Sequence, residues 1–224
     1  MENISSAKIK EIFTSIQGEG PYIGQKQTFI RFCRCNLACK FCDTDFKTDL
    51  KEYTISSLAE ILKKENSKTL SLTGGEPLLE VEFLFEFLKK YKKELSKKIY
   101  LETNGTRTSE LKKIIDFVDV VAADIKIESA TGEKNQFEKN EEFLKIAFEN
   151  KKEAFIKVVF DENILNDEIN EIVKIARKFN FKIVLQPKMP MDKGLDLMEI
   201  FEKFYSQYEN VFLIPQVHKF LNLA

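Results

Sequence analysis

Three cysteines spaced C-x3-C-x2-C, Cys35-Asn-Leu-Ala-Cys39-Lys-Phe-Cys42, are the residues in this chain best suited to chemistry. Thiolates this close together can hold three corners of a cubic iron–sulfur cluster, which leaves the fourth iron without a protein ligand. An open iron can bind a small molecule. A structural zinc ion is the alternative, but zinc calls for a fourth ligand, normally Cys or His. For that the chain offers only Cys33 next door and a single His218 far downstream. All four cysteines fall between Cys33 and Cys42, so they cannot staple distant parts of a fold, and a disulfide framework is excluded. Clustered thiols in a reducing compartment more often mark a metal site.

Two glycine-containing segments could serve the same chemistry. Leu70-Ser71-Leu72-Thr73-Gly74-Gly75-Glu76-Pro77 puts two glycines and an acid where an apolar run ends. That arrangement lets backbone approach a ligand and offers Glu76 as a charge partner. It also reads as an ordinary strand-to-helix turn. Gln17-Gly18-Glu19-Gly20 is polar throughout and reads by itself as a glycine turn.

These residues need a scaffold, and the rest of the chain describes one. Short β-branched and apolar runs at Thr28–Phe32, Thr69–Leu72, Lys98–Leu101, Val118–Ala122, Phe155–Phe160, Lys182–Leu185 and Val211–Ile214 read as strands. Between them lie helical stripes. Leu58, Ile61 and Leu62 form one, Leu84, Phe87, Leu88 and Tyr91 another, Phe143, Leu144, Ala147 and Phe148 a third, and Ile169, Ile172, Val173, Ala176 and Phe179 a fourth. Alternating strands and helices imply parallel βαβ units and an α/β fold. About six such units fall short of the eight strands and roughly 250 residues of a closed barrel. The expectation is an incomplete, open (β/α) barrel of about six parallel strands, with active residues at the strand C-terminal ends.

Whole-chain properties narrow the partners. At 224 residues, with no linker or repeat, residues 1–224 read as one domain. Lys plus Arg (35) nearly cancels Asp plus Glu (36), so no overall field recruits nucleic acid or a membrane surface. No apolar run nears the roughly 18 residues that span a bilayer, and residues 1–10 lack the apolar core of a signal peptide. A cytoplasmic protein is expected.

The cysteine segment resembles the radical S-adenosylmethionine superfamily, whose signature has this spacing with an aromatic residue before the third cysteine, here Phe41. Gly74-Gly75-Glu76-Pro77 is similar to that superfamily's element gripping the methionine ammonium group. The resemblance implies a [4Fe-4S] cluster on Cys35, Cys39 and Cys42 and S-adenosylmethionine chelated to the open iron. One electron then cleaves S-adenosylmethionine to a 5′-deoxyadenosyl radical that abstracts hydrogen from a substrate, so no side chain is required as the catalyst.

The segments running from Glu11 to Gly20, then Gly24, Phe29-Ile30-Arg31, Cys35-Asn36-Leu37, Cys42-Asp43-Thr44 and Gln216 to Asn222 together resemble the 7-carboxy-7-deazaguanine synthase family of queuosine biosynthesis. That resemblance implies conversion of 6-carboxy-5,6,7,8-tetrahydropterin to 7-carboxy-7-deazaguanine with release of ammonia. It places the substrate at Ile16, Gln17, Gly18, Glu19, Arg31, Thr73, His218 and Ala224, and Mg2+ at Thr44. It places S-adenosylmethionine at Phe41, Asp43, Gly75, Glu76, Asp124, Ile125, Lys126, Gln186, Pro187, Lys188 and Met189. The residue types suit such a substrate, since Gln17 and Glu19 can meet the N–H and amino groups of a pterin edge and Arg31 can fork onto a carboxylate. An electron donor such as flavodoxin or ferredoxin and a homodimer are implied as well. One departure is Cys33-Arg34 where glycine commonly precedes the first cluster cysteine. A glycyl-radical activase would share the cysteines and Gly74-Gly75, but it leaves Gln17 to Gly20 without a role.

Overall fold

A computed structural model describes residues 6–42, 50–191 and 194–223. The strands are β1 (Ser6–Ile16), β2 (Lys26–Phe32), β3 (Lys51–Thr54), β4 (Thr69–Gly74), β5 (Lys98–Thr103), β6 (Val120–Asp124), β7 (Glu153–Phe160), β8 (Lys182–Pro187) and β9 (Val211–Leu213). The α-helices are α1 (Ile55–Lys64), α2 (Val81–Leu95), α3 (Thr108–Ile114), α4 (Glu128–Thr131), α5 (Phe137–Glu149), α6 (Asn166–Phe179), α7 (Leu197–Tyr205) and α8 (Val217–Leu221).

One nine-stranded sheet runs through these elements in the order β3-β1-β2-β4-β5-β6-β7-β8-β9. From β2 through β4 to β9 each strand pairs parallel with its neighbour. The parallel strands therefore number one more than expected, because the three-residue β9 pairs in full. All the strand positions read from the sequence are occupied, most with ends moved by a residue or two. The β6 strand moves as a whole, from Val118–Ala122 to Val120–Asp124, because a short 3-10 turn over Ile115–Phe117 delays its start. The antiparallel β1 and β3 are strands that the sequence patterns do not predict. They extend the sheet beyond β2, which keeps it open.

Alternation divides each parallel strand between two faces. Leu70, Leu72, Ile99, Leu101, Val121, Ala123, Ile156, Val158, Phe160, Ile183 and Leu185 face the helices and join the main core with Leu84, Phe87, Phe143, Ile172 and Phe204. The helical stripes read from the sequence supply that layer, except that Ile61 is only partly buried and outside the core cluster, and Phe148 is half exposed and packs its ring near Phe179 and Phe181. On the other face a smaller cluster of Tyr22, Tyr100, Val120, Ala122, Phe155 and Val184 fills the lower end of the open barrel. Tyr22 reaches it because the β1–β2 connection folds inward. Its ring meets Tyr100 edge-on at 5.3 Å, and Lys98 Nζ donates to its hydroxyl at 2.6 Å. Gly20, at φ +64°, passes so close to Phe155 that a Cβ would lie 2.9 Å from the ring.

Candidate active site

Above that apolar plug the inward positions turn polar and surround a cavity of about 250 Å3. Its wall is built at strand C-terminal ends: Thr73 to Gly75 at the end of β4, Glu102 to Asn104 at the end of β5, Asp124 and Lys126 at the end of β6, Lys157 and Val159 on β7, and Gln186, Lys188 and Met189 at the end of β8. Residues 16–19 close one side together with Gln216 and His218 of the C-terminal segment. Cys35, Cys39 and Cys42 line it as well, with Leu37 and Phe41, near Asp124 and Lys126.

The cysteine loop is tied down by protein contacts before any metal is considered. Gly75 N–H donates to Phe32 O at 3.1 Å and Glu76 N–H to Arg34 O at 2.7 Å, zipping the end of β4 to the start of the loop. A Cβ on Gly75 would stand 2.0 Å from Arg34 O, so only glycine permits this seam. Asn104 Nδ2 donates to Asn36 Oδ1 at 2.9 Å, Ala38 N–H to Glu133 at 2.9 Å and Lys40 N–H to Thr131 O at 2.9 Å. Leu37 N–H points at Cys35 Sγ, 3.4 Å away, the type of contact a cluster thiolate accepts. Burial pushes the Cys39 thiol up to about 11 and also raises Cys35. Thiolates at these positions therefore form as the metal binds and releases their protons.

Elsewhere in the wall, one carboxylate orients two of the expected substrate residues. Glu102 accepts from Gln17 Nε2 at 2.8 Å and from Thr73 Oγ1 at 2.7 Å. Gln17 Oε1 in turn accepts from Glu19 N–H at 3.1 Å. Glu19 accepts from Gln216 Nε2 at 2.7 Å, and its other oxygen pairs with Lys157. Lys157 also lies 3.0 Å from Asp124 Oδ2, which takes Lys126 at 2.9 Å. Burial alone would raise the Glu19 carboxyl, but Lys157 and the Gln216 hydrogen bond hold it down to about 2. Lys157 is kept charged by Asp124 and Glu19 against the cost of its burial.

His218 packs directly on Gly18, where a Cβ would stand 2.4 Å from Nδ1. Val217 N–H donates to Gly18 O at 2.9 Å, so α8 is seated against the Gln17–Gly20 turn. The two ends of the chain thus share one wall. Arg31 lines the cavity too, with Nε donating to Glu11 at 2.7 Å and its guanidinium 5.5 Å from the Phe13 ring centre.

The structure gathers most of the expected site residues and relocates several. Ile16, Gln17, Gly18, Glu19, Arg31, Thr73, His218, Phe41, Gly75, Asp124, Lys126, Gln186, Lys188 and Met189 line the cavity with the three cysteines. Ile125 and Pro187 are buried beside it and are not part of its lining. Glu76 is not part of the lining either. Its carboxylate is fully buried behind the wall, accepting from Thr103 Oγ1 at 2.8 and 2.9 Å, Asn104 N–H at 2.9 Å and Leu78 N–H at 3.1 Å, and burial pushes it up to about 7. The charge it was expected to offer a ligand is committed to pinning β4 to β5. Cys33 lies where the chain bends after β2, so strand alternation no longer governs it. It packs buried against β1 with Sγ donating to Lys8 O at 3.3 Å and is not part of the cavity wall. Asp43, Thr44 and Ala224 lie outside the described residues.

Lys157 and Gln216 are site residues that the sequence patterns do not single out. A lysine inside the apolar run Phe155–Phe160 was the available signal for the first, because an unpaired charge is not left on a buried strand. The donor set also fits the expected cofactors. Asp124 Oδ1 and both amide atoms of Gln186 are buried without a hydrogen bond among the described residues, and both side chains line the cavity. Orphaned polar atoms cost about 1–3 kcal/mol each. A polar ligand on the cysteine side of the cavity would satisfy them.

An open parallel sheet with three cysteines facing a cavity at its strand ends defines a radical S-adenosylmethionine enzyme, and the Radical SAM superfamily profile matches residues 29–161. The fold is similar to that of QueE from Escherichia coli, with a TM-score of 0.63 at 18% identity over 95% of each chain. It is also similar to Streptococcus suis SuiB bound to S-adenosylmethionine, with a TM-score of 0.58 over 82% of this chain and 45% of that one. In sequence it is 32% identical to the 7-carboxy-7-deazaguanine synthase of Geobacter sulfurreducens, spanning 96% of this chain and 97% of that protein. With the enzyme of the same name from Archaeoglobus fulgidus it shares 34% identity over 97% and 99%. The chain belongs to the 7-carboxy-7-deazaguanine synthase family.

Proposed function

We infer that this chain carries out the reaction for which its family is named, within queuosine biosynthesis, on 6-carboxy-5,6,7,8-tetrahydropterin and with release of ammonia. The observation that carries the reading is the cavity shared by Cys35, Cys39 and Cys42 and by Gln17, Glu19, Arg31 and His218. When bound, the cluster and S-adenosylmethionine supply a radical that takes one hydrogen from the substrate.

The chain's own residues hold, orient and enclose. Cys35, Cys39 and Cys42 would carry the cluster. Gly75, Asp124, Lys126, Gln186 and Lys188 would face S-adenosylmethionine, with Asp124 Oδ1 and the Gln186 amide free to bond it. Glu19 is an acceptor held ionised by Lys157, and it suits the N–H and amino donors of a pterin edge. Thr73 gives its proton to Glu102, so it presents lone pairs to the cavity. Arg31 spends Nε on Glu11, leaving its terminal nitrogens to meet a substrate carboxylate, with His218 as a second donor. The apolar plug under Tyr22 and Tyr100 keeps water from entering below.

The Mg2+ role of Thr44 and the substrate role of Ala224 rest on family resemblance. Turnover after chelation, with and without added Mg2+, tests the first. A low-potential flavodoxin or ferredoxin is the proposed electron donor, and a homodimer the proposed assembly. No helix among the described residues is long and apolar enough to cross a membrane. The decisive experiment is anaerobic turnover of cluster-loaded protein with the tetrahydropterin, dithionite and S-adenosylmethionine. A deazapurine product is expected, and its absence at full cluster occupancy would overturn the substrate assignment.

A further inference from the structure

Lys157 is a charged side chain of the cavity wall to which that reading gives no substrate or cofactor contact of its own. It stands on β7 between Ile156 and Val158, both fully buried against the helices, and it points the other way, 8% exposed. A methionine or leucine would pack at such a position with less cost, because a buried ammonium must recover its lost hydration from partners. Two carboxylates provide that recovery, and they arrive by independent routes. Asp124 is the direct register partner of Lys157 across β6 and β7. Glu19 comes from the β1–β2 connection, folded inward over the Tyr22 plug.

We propose that Lys157 is a positioning residue that holds Glu19 as an ionised, aimed acceptor for the paired N–H donors on the substrate's aminopyrimidinone edge. The inference rests on the reading of Glu19 as a substrate contact. Each oxygen of Glu19 has one protein donor, Gln216 Nε2 on Oε1 and Lys157 on Oε2. A carboxylate offers about two acceptor sites per oxygen, so one stays open on each for a two-donor edge. Asp124 keeps Lys126 at 2.9 Å when Lys157 is removed, so the loss falls on Glu19. The charged and titratable groups facing Glu19 are Lys157, His218 and Tyr100, with Asp124 and Glu102 behind Lys157. Without Lys157, the burial that raises the Glu19 carboxyl is opposed only by Gln216 and His218. The carboxyl then protonates nearer neutrality and loses an acceptor.

The test is anaerobic calorimetric titration of 6-carboxytetrahydropterin into protein loaded with cluster and S-adenosylmethionine, from about pH 6 to about pH 9. Wild type, K157M and the double variant K157M/E19Q are compared. The ratio of the K157M to the wild-type Kd is expected to grow toward acid pH, by about tenfold per pH unit below the new carboxyl pKa. In the double variant the ratio is expected to be high and independent of pH, and S-adenosylmethionine affinity should change by less than about threefold in both, because Asp124 keeps Lys126. A pH-independent ratio in folded K157M, which a purely structural lysine would give, overturns the proposal. If K157M does not fold, Lys157→Gln keeps a donor and removes only the charge, with the same expectation. Wild-type protein that binds no pterin would bring down the substrate reading and this inference together, whereas pterin binding with a flat ratio brings down the inference alone.

Discussion

The two faces of β7 obey different rules. Ile156, Val158 and Phe160 point at the helices and are buried among aliphatic and aromatic side chains, whereas Lys157 and Val159, two residues apart on the other face, border a cavity. The same division runs across the sheet. Toward the helices the strand bodies present apolar side chains, from Leu70 on β4 to Leu185 on β8. Inward, Gln27 Nε2, Ser71 Oγ, Asp124 Oδ1 and the Gln186 amide are buried without hydrogen bonds among the described residues. The outer layer spends its positions on stability, and the inner layer gives up some of it, with Asp124 and Gln186 facing the cavity where a ligand can meet them. Damage to the two faces should therefore separate into loss of folding and loss of chemistry.

Cys39→Ala is the largest expected break on the inner side. Iron content and turnover should fall below detection while the fold stays within about 1 kcal/mol of wild type by urea denaturation, because the loop keeps its bonds through Ala38, Lys40 and Asn36. Phe87→Ala is its counterpart on the outer side. Phe87 is fully buried on α2 beside Phe83, with ring centres 6.3 Å apart, and truncating it should cost about 3–5 kcal/mol. Iron content per folded molecule should not change. If Phe87→Ala lowered iron binding as steeply as stability, the separation of the faces would fail.

A third measurement sharpens the comparison through pH. The folded pKa of Glu19, about 2, lies below its ordinary 4.5, so its ion pair adds stability above the ordinary value. That stability is lost as pH falls through the folded value, by about 3 kcal/mol in all. Urea midpoints measured from about pH 5 downward should show this loss, and Glu19→Gln should flatten that part of the curve. Cys33→Ala has the smallest expected effect. It removes a buried thiol and one weak bond to Lys8 O, costing about 1 kcal/mol, with iron content unchanged. A fall in iron content would make Cys33 a ligand after all.

How much is legible in the sequence follows the same boundary. The parallel strands are legible because strands covered on one side by helices and filled on the other carry dense apolar runs, as in Val120-Val121-Ala122-Ala123. The antiparallel β1 is not. Residues 6–16 mix polar and apolar side chains without a dense run, and their last half, from Glu11, enters the reading only as part of a segment that resembles the family. The helices α4 and α8, of four and five residues, are too short to show a period. In the site, the cysteines and the Gln17–Gly20 turn are legible as local patterns. The ion pair of Glu19 with Lys157 is not, since 138 residues separate its members and only the inward fold of the β1–β2 connection joins them. The surroundings of Glu76 are hidden for a related reason. A local motif tells of an acid near the ligand, but not that Thr103 and Asn104 of the next strand enclose it.

The seam between Gly75 and Arg34 bears on how mutational data for this chain would be read. A saturation scan scored on activity would rank Gly75 beside the three cysteines, as if it were a ligand. Its failure would be mechanical, since any side chain there drives two stretches of backbone apart at the root of the cysteine loop. Excess iron, sulfide or S-adenosylmethionine would rescue a weakened ligand set but not a parted seam, so reconstitution under excess separates residues that bind from residues that clamp.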